Sequence, residues 1–469
     1  MIIFKKKNKI FLFKKNKKKS QITRTLRNSF IFNENLCMGC NACVVACNLE
    51  NSQLQTKNWR TVNTFNKNKI SGLPLVHLSL ACNHCDSAPC MKNCPAKAYT
   101  RNEETGAVIH DAKKCIGCKY CTWVCPFDAP VYSMQKGVVE KCTFCSSRIS
   151  EGKKTACATL CPTGALDFRK IDEDAEIVKT SGLLETTFFP KIKIIKKRTD
   201  TFFATNAPQK TEVELIKELE TKNNFMEKID IRKEWTLGLF TVLITFLGGL
   251  FVSTFLQERE LNSIVFSIIS IPLIVLSSLH LGRKEKAWRA IINLRNSWLS
   301  REIFFFSSFV GFGFIFLQFN EIELFGWLAI VSALLCFISV DMVYSPKAIQ
   351  PIQLIHSSLV TFSAVFFIAF FLKIWELVSL IIFLKMMLYF SRKLKFTFLK
   401  KKNNYLVTIC KITFSLIIPI ILWIYNPAFG YYYLATSFLI GEIIDRMEFY
   451  NELRVITPQI LQNEAIETH

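Results

Sequence analysis

Cys37-Met38-Gly39-Cys40-Asn41-Ala42-Cys43-Val44-Val45-Ala46-Cys47 and Cys115-Ile116-Gly117-Cys118-Lys119-Tyr120-Cys121-Thr122-Trp123-Val124-Cys125 share one cysteine spacing, C-x2-C-x2-C-x3-C. A second group, Cys82, Cys85, Cys90 and Cys94, widens one gap, and a fourth, Cys142, Cys145, Cys157 and Cys161, opens it into an eleven-residue loop. Of the eighteen cysteines only Cys336 and Cys410 fall outside this stretch. The groups of four survive both insertions, so what the sequence keeps is a ligand count.

Three thiols two residues apart on a tight loop reach three irons of one cubane, while the fourth, three residues on and usually before proline, points to a neighbouring cluster. Pro95, Pro126 and Pro162 follow the last cysteines of groups two, three and four, whereas Asn48 follows group one. Two nested pairs of groups are therefore expected, with four iron-sulfur clusters. The predicted ligand sets are Cys37, Cys40, Cys43 and Cys161; Cys82, Cys85, Cys90 and Cys125; Cys115, Cys118, Cys121 and Cys94; and Cys142, Cys145, Cys157 and Cys47. Iron thus rests on the same sixteen cysteines of the four groups. Structural zinc accepts paired C-x2-C units but has no use for triplets with a following C-x3-C. Disulfides call for an oxidising compartment, and no secretory signal is legible.

The chain has 469 residues, half of them hydrophobic, and a net charge of +22. Residues 1–29 read as a basic disordered extension, with eleven Lys or Arg and no acid before residue 28. A solvated tail, a contact with anionic lipid or a start placed too far upstream all account for it. Nucleic-acid binding is not expected, because no recognition element accompanies the charge. Residues 30–170 form the cluster domain, with short strands at Phe30–Leu36, Leu75–Leu80 and Ala107–His110 and a helical stretch at Ala42–Leu49. Cluster ligation couples to folding here and supplies stability that a large core would otherwise provide. His84, between Cys82 and Cys85, is expected to donate to cluster sulfur rather than to ligate. Residues 171–230 read as a partly ordered linker, with one strand, Lys191–Ile195, returning to the cluster domain and a short helix at Glu212–Glu220.

After Trp235 apolar runs recur, each about the length needed to cross the ~30 Å hydrocarbon layer. Eight are expected in a membrane domain over 231–450: about 236–256, 261–281, 303–319, 325–344, 353–372, 374–391, 405–425 and 429–446. A tail follows over 451–469. The loops after the second, fourth and sixth runs carry thirteen Lys or Arg between Arg283 and Lys402, against Arg259 and Lys373 in the alternate loops. The positive-inside rule then puts the basic loops, both termini and the cluster domain in the cytoplasm. Lys385 and Lys411 are expected to snorkel. Glu302, Glu442 and Arg446 are ionisable at or inside span boundaries, where they need a partner or a function; a Glu442–Arg446 i,i+4 pair is the simplest account, and proton transfer the sharper one. Asp341 is equally ambiguous, His356 reads as structural, and Cys336 and Cys410 as packing residues.

Phe32-Asn33 through Cys47, Leu78 through Cys85, Cys115 through Trp123, and Cys161-Pro162-Thr163-Gly164-Ala165-Leu166 resemble the four-cluster electron-transfer subunit of dimethyl sulfoxide reductase type molybdoenzymes. In relatives from respiratory nitrate reductase a tryptophan replaces one ligand of the third group and a three-iron cluster results. Trp123 here lies between Cys121 and Cys125, at a non-ligand position, so the resemblance implies four [4Fe-4S] clusters. The second half resembles the membrane-anchor subunit of the same family at Glu234-Trp235-x-Leu237-x-x-Phe240-Thr241, His280-Leu281-Gly282, Ser297-Trp298-Leu299-Ser300-Arg301-Glu302 and Gly441-Glu442-Ile443-Ile444-Asp445-Arg446. The chain thus looks like a natural fusion of two subunits: an α+β ferredoxin-like domain holding four [4Fe-4S] clusters, then an all-α polytopic membrane domain of about eight transmembrane helices.

That resemblance implies menaquinol as electron donor, a molybdopterin-containing catalytic subunit as partner, and the bacterial inner membrane as location. It points to His280 as a member of the quinol site. Imidazole can take a proton near neutral pH, although a helix-end histidine packed on the cluster domain accounts for His280 equally well. Two alternatives stay open: the same wire run in reverse from a dehydrogenase into quinone, and a redox carrier or sensor without a catalytic partner. Nitrate, sulfoxide and sulfur-compound reductases share this design, so the sequence does not name the terminal substrate.

Overall fold

The computed structural model describes residues 26–52, 58–66, 75–172, 188–196, 231–259, 261–319, 322–346, 349–350, 355–398, 405–425, 430–455 and 457. The expected helix at Glu212–Glu220 lies outside them, as does most of the basic extension.

The first half alternates short strands with one- or two-turn helices: β1 (Leu26–Asn33), α1 (Ala42–Glu50), β2 (Thr61–Phe65), β3 (Val76–Leu80), α2 (Pro89–Lys92), β4 (Tyr99–Arg101), β5 (Val108–His110), α3 (Tyr120–Trp123), β6 (Val131–Ser133), β7 (Val138–Glu140), α4 (Ser146–Ser150), α5 (Ala156–Thr159), β8 (Leu166–Asp172) and β9 (Ile192–Ile195). Antiparallel pairs β2–β3, β4–β5 and β6–β7 are separate two-stranded hairpins. One three-stranded sheet, in the order β8-β1-β9, closes the domain, with β1 antiparallel to β8 and parallel to β9. It brings the two ends of the cysteine stretch side by side.

Two boundaries differ from the sequence reading. Strand β1 starts at Leu26, inside the expected extension, because β8 pairs with it from Leu26↔Asp172 to Phe32↔Leu166. Ser29 and Phe30 are buried in that sheet, and Arg27 bonds to Asp86. The strand at Ile192–Ile195 returns to the cluster domain as expected, but residues 188–196 as a whole belong there and not to the linker: Asp86 and Ser87 donate to the Phe189 and Phe188 carbonyls at 3.1 and 3.2 Å, and β9 follows.

Helices α1, α3 and α4 are each entered through a residue in the left-handed region, Asn41 (φ 62°), Lys119 (φ 59°) and Cys145 (φ 46°). Non-glycine residues adopt that conformation only where the surroundings impose it. Here it turns each cysteine loop back on itself, so that successive thiols face a common space.

The second half is helical: α6 (Ile231–Leu256), α7 (Ser263–Leu279), a 3-10 segment (Lys284–Ile291), α8 (Trp298–Gln318), α9 (Glu323–Val343), α10 (Val360–Phe371), α11 (Trp375–Phe398), α12 (Tyr405–Ile412) continuing through a π-helical turn (Thr413–Ile417) into α13 (Ile418–Tyr425), and α14 (Gly430–Glu452). Among the described residues four helices are long and apolar enough to cross a membrane: Glu234–Leu256, Trp298–Gln318, Glu323–Val343 and Tyr405–Ile424. The count becomes five if α7 and the 3-10 segment, bent by 98°, form one span. Helix α10 has 12 residues, about 18 Å at 1.5 Å per residue. Helices α11 and α14 are long but interrupted by ionisable side chains.

Phenylalanines fill the bundle interior in edge-to-face pairs such as Phe240–Phe306 and Phe251–Phe309. Ile268, Ile271, Phe383, Met387 and Ile409 are exposed on its outside. An apolar exterior over an apolar interior suits a lipid surround.

Candidate functional site

The thiols fall into four neighbourhoods. Those acting electrostatically on Cys37 are Cys43, Cys161 and Cys40. Cys82, Cys125 and Cys90 surround Cys85; Cys118, Cys94 and Cys115 surround Cys121; and Cys157, Cys145 and Cys43 act on Cys47. Burial, with the neighbouring thiols adding to it, pushes Cys37, Cys85 and Cys121 up, Cys47 to about 12 and Cys94 to about 11. Packed thiols of this kind become thiolates only with a multivalent cation among them.

Around the second group the space is visible as a small cavity, walled by Cys82, Cys85, Cys90 and Cys125 together with Ala88, Pro126, Ala129 and Lys141. His84 lines it too. Its Nδ1 accepts the Val108 N–H at 3.0 Å, so Nε2 carries the proton, and that buried Nε2 has no protein partner. Burial and the charges of Lys141, Lys191 and Arg101 hold the ring well below the usual imidazole range, hence neutral. A buried N–H donor left over beside four thiols fits a sulfur-rich group in the cavity. Among the described residues no three His, Cys, Asp or Glu side chains converge on a point suited to a single metal ion; the second quartet stands around a cavity instead.

The quartets are strung in a row. The buried Tyr99 lies near Cys121, Cys90 and Cys94, between the third and second. Lys141 lies among Cys82, Cys90 and Cys142, between the second and fourth. Arg60 lies among Cys157, Cys43, Cys142 and Cys47, between the fourth and first. None of these three residues carries a signal in the sequence.

At one end of the row the third quartet is gripped by the helical half. The Gly282 and Arg283 N–H groups donate to the Gly117 and Ile116 carbonyls at 3.4 and 3.1 Å. Asn293 Nδ2 donates to the Cys94 carbonyl at 2.8 Å and Ser297 Oγ to that of Asn93 at 3.0 Å. Tyr120 Oη donates to the Val343 carbonyl, and Trp123 packs in one core with Leu299, Tyr344 and Tyr450. Every helix end engaged here, from α6, α7, α8, α9 and α14, lies on the same side of the bundle. At the other end of the row Cys40 is exposed, and so are Leu36, Met38, Val45, Leu49 (73 %) and Leu160, which lie close in sequence to Cys37, Cys47 or Cys161.

His280 caps the C-terminus of α7, half-buried, with Nδ1 lacking a protein partner. The Lys119 ammonium acts on it and in turn pairs with Glu234 at 3.4 Å. Glu302 is buried in α8 just past its first turn, within electrostatic reach of Tyr120 and Arg446. His280, through Lys119, and Glu302, through Tyr120, thus lie beside the loop of the third quartet, with Arg446 behind Glu302; Glu442 has no such link.

The expected Glu442–Arg446 pair does not form. Both residues line a small cavity with Thr241, Thr245, Ser358 and Ser363, but Glu442 pairs with Lys385 at 2.6 Å and Lys411 at 3.6 Å. Arg446 donates to Thr241 Oγ1 and the Ser358 carbonyl and faces the rings of Tyr344, Phe449 and Tyr450. Nor do Lys385 and Lys411 snorkel; both are buried, since acids on α14 offer them a closer partner than the lipid interface. Arg392 and Lys393, counted as loop charges, are buried within α11. Arg392 meets Asp445 at 2.7 Å and Glu452 at 2.8 Å; Lys393 meets Glu448 at 2.5 Å and Glu452 at 2.8 Å. Asp341 caps α10, accepting from the Val360 and Thr361 N–H groups at 2.8 and 3.0 Å. His356 stacks on Phe449 in the turn before α10, and Cys336 is fully buried.

Comparison with known proteins places the cysteine geometry. The 4Fe-4S dicluster domain matches residues 74–171. One of the chains of the anaerobic dimethyl sulfoxide reductase of Haemophilus influenzae is 38% identical over 154 residues, 31% of this chain and 74% of its own length. The thiosulfate reductase electron transfer subunit PhsB of Salmonella typhi is 37% identical over 34% of this chain and 85% of its own. A sulfite dehydrogenase subunit of Allochromatium vinosum is 33% identical over 32% of this chain and 71% of its own. These matches leave the helical half uncovered, but each spans most of the relative. In its cysteine-rich half the protein therefore belongs to the family of 4Fe-4S electron-transfer subunits that includes these dimethyl sulfoxide and thiosulfate reductase relatives.

Proposed function

We propose that the protein is a membrane-bound electron-transfer subunit that takes electrons from menaquinol and delivers them to a molybdopterin-containing reductase. The observation that carries this is the row of thiol quartets running from a loop gripped by apolar helices to an exposed cysteine. In this reading Cys94, Cys115, Cys118 and Cys121 hold the cluster nearest the membrane. Cys82, Cys85, Cys90 and Cys125, then Cys47, Cys142, Cys145 and Cys157, then Cys37, Cys40, Cys43 and Cys161 hold the next three. Bound there, each [4Fe-4S] cluster supplies one-electron storage and transfer.

The residues of this protein do the rest. Quinol oxidation releases two protons with two electrons, so a base is needed beside the first cluster. His280 takes a proton there; Lys119, paired to Glu234, fixes the electrostatics of its surroundings, and Glu302 accepts the second proton with Arg446 near it. The eight helical stretches are the spans of an inner-membrane domain, α10 being lengthened by the turn before it. Of the helix ends that hold the cluster domain, those of α7 and α8 flank the basic stretch from Arg283 to Arg301, which supports a cytoplasmic cluster domain. The relative named as a sulfite dehydrogenase subunit supports the reverse direction as a second reading.

Anaerobic purification in mild detergent is expected to yield roughly sixteen irons per chain, four per cluster, and a molybdenum-bearing partner in equal amount. A menaquinol analogue should reduce the clusters, and His280→Ala should abolish that while dithionite still reduces them. Iron at this level with neither partner nor quinol reduction would leave the wire and defeat the function.

The partner docks over Cys40, where the wire ends and apolar side chains meet water. Met38→Asp with Leu49→Asp is expected to release the large subunit on gel filtration while iron content and quinol-driven reduction persist. Retention of the complex would place the docking face elsewhere.

A further inference from the structure

Arg60 and Lys141 are 1 % and 3 % exposed, and among the described residues neither has a carboxylate partner. An unpaired buried charge is too costly to persist without a counter-charge. Arg60 lies over the Phe30 ring at 4.7 Å and donates through Nη1 to Ser79 Oγ at 3.0 Å, with Nε lacking a protein partner. Ser79 Oγ is 3.4 Å from Cys43 Sγ; since it accepts from Arg60, its own proton is free for that sulfur once Cys43 is a thiolate. Lys141 Nζ donates to the Val108 carbonyl, and to that of Cys142 at 3.1 Å, and lines the cavity of the second quartet. The negative charge these cations lack lies in the quartets they separate: a cube held by four thiolates is a net anion and gains one more negative charge on reduction.

Resting on the four-cluster reading, we propose that Arg60 and Lys141 set the reduction potentials along the wire, raising above all that of the cluster held by Cys47, Cys142, Cys145 and Cys157, which both cations face. A fixed cation in a dry interior is weakly screened and favours the reduced, more negative state. Net charge and hydrogen bonds to sulfur are among the factors that set cluster potentials. Arg60 reaches the first quartet as well, through Ser79, and Lys141 reaches the second. The cluster between them becomes the place where an electron rests, and the wire stays loaded.

The test is an anaerobic redox titration of the detergent-purified full chain, followed by electron paramagnetic resonance with iron content measured alongside. Arg60→Gln and Lys141→Met, at parental iron content, are expected to lower the midpoint of the same cluster. Arg60→Lys and Lys141→Arg should bring it back towards the parental value, which a purely structural role would not require. Parental iron with every midpoint unmoved in both neutral variants would overturn the proposal. Should the neutral variants lose iron, Ser79→Ala decides: it removes only the hydroxyl between Arg60 and Cys43, and one lowered midpoint is expected, an unmoved set being fatal to the idea. Iron far below four clusters in the parental protein would overturn this proposal and the functional reading together, whereas unmoved midpoints at full iron overturn this one alone.

Discussion

Gly282→Val is expected to cut quinol-driven reduction of the clusters by about a hundredfold, the scale on which a misplacement near 1 Å acts, while dithionite reduction and iron content stay at the parental level. Gly282 leads out of α7 directly against the third cysteine loop, backbone to backbone, and a Cβ there collides with the Gly137 carbonyl oxygen and the Tyr132 hydroxyl. The facing residues cannot yield, because Gly117 (φ 71°) and Gly137 (φ 65°) hold left-handed conformations and are themselves packed on Gly282. Relief comes only by moving the two halves apart, which breaks the Arg283 and Gly282 hydrogen bonds to the loop. Stopped-flow reduction by a menaquinol analogue, set against dithionite reduction of the same sample, makes the comparison. Quinol-driven reduction within about twofold of the parental rate would be under 1 kcal/mol of barrier, and would mean that electrons enter elsewhere.

The second large effect is expected in the helical half. Arg392→Leu removes a guanidinium that meets Asp445, Glu448 and Glu452, leaving three acids of α14 to share Lys393 and Lys411. Breaking a buried ion pair from one side costs about 3–5 kcal/mol, so a large fall in thermal half-life in detergent is expected. The double variant Arg392→Leu with Asp445→Leu removes a charge of each sign from the network and should recover part of the loss, since apolar replacements of whole buried pairs are often neutral. A double variant no better than the single would mean that Arg392 works by packing on Tyr389, 5.2 Å away, rather than by charge.

What could be read from the sequence, and what could not, follows the range of the interactions. The four cysteine groups are legible because a cluster loop is local: in the first and third, all four thiols lie within eleven residues. The start of β1 at Leu26 is hidden because Arg27, Asn28 and Ser29 read as polar tail, and only pairing with β8, some 140 residues later, makes them a strand. The α14 ladder was misread for the same reason. Sequence offers Glu442 the partner four residues on, whereas its bases stand on α11 and α12, at Lys385 and Lys411. Lysines alone in apolar runs then look like snorkelling side chains. Arg60, Lys141 and the Gly117–Gly282 contact left no trace at all, since a lone base or a glycine has no spacing to betray its partner.

The α14 ladder also bears on how the protein is made. Glu442, Asp445, Glu448 and Glu452 rise along about 15 Å of one helix at 1.5 Å per residue, and the bases that meet them are all synthesised earlier. In the membrane-bound reading Lys385, Arg392 and Lys411 meet their carboxylates, among the described residues, only when that last helix arrives. The same helix carries Phe449 and Tyr450 to the floor beneath Tyr120 and Trp123. Its arrival therefore latches the bundle and the seat of the third cysteine loop in one event. A nascent polypeptide interrupted before residue 430 would leave naked bases in lipid and an unsupported redox loop above it, a pairing of defects that membrane quality control is well placed to detect.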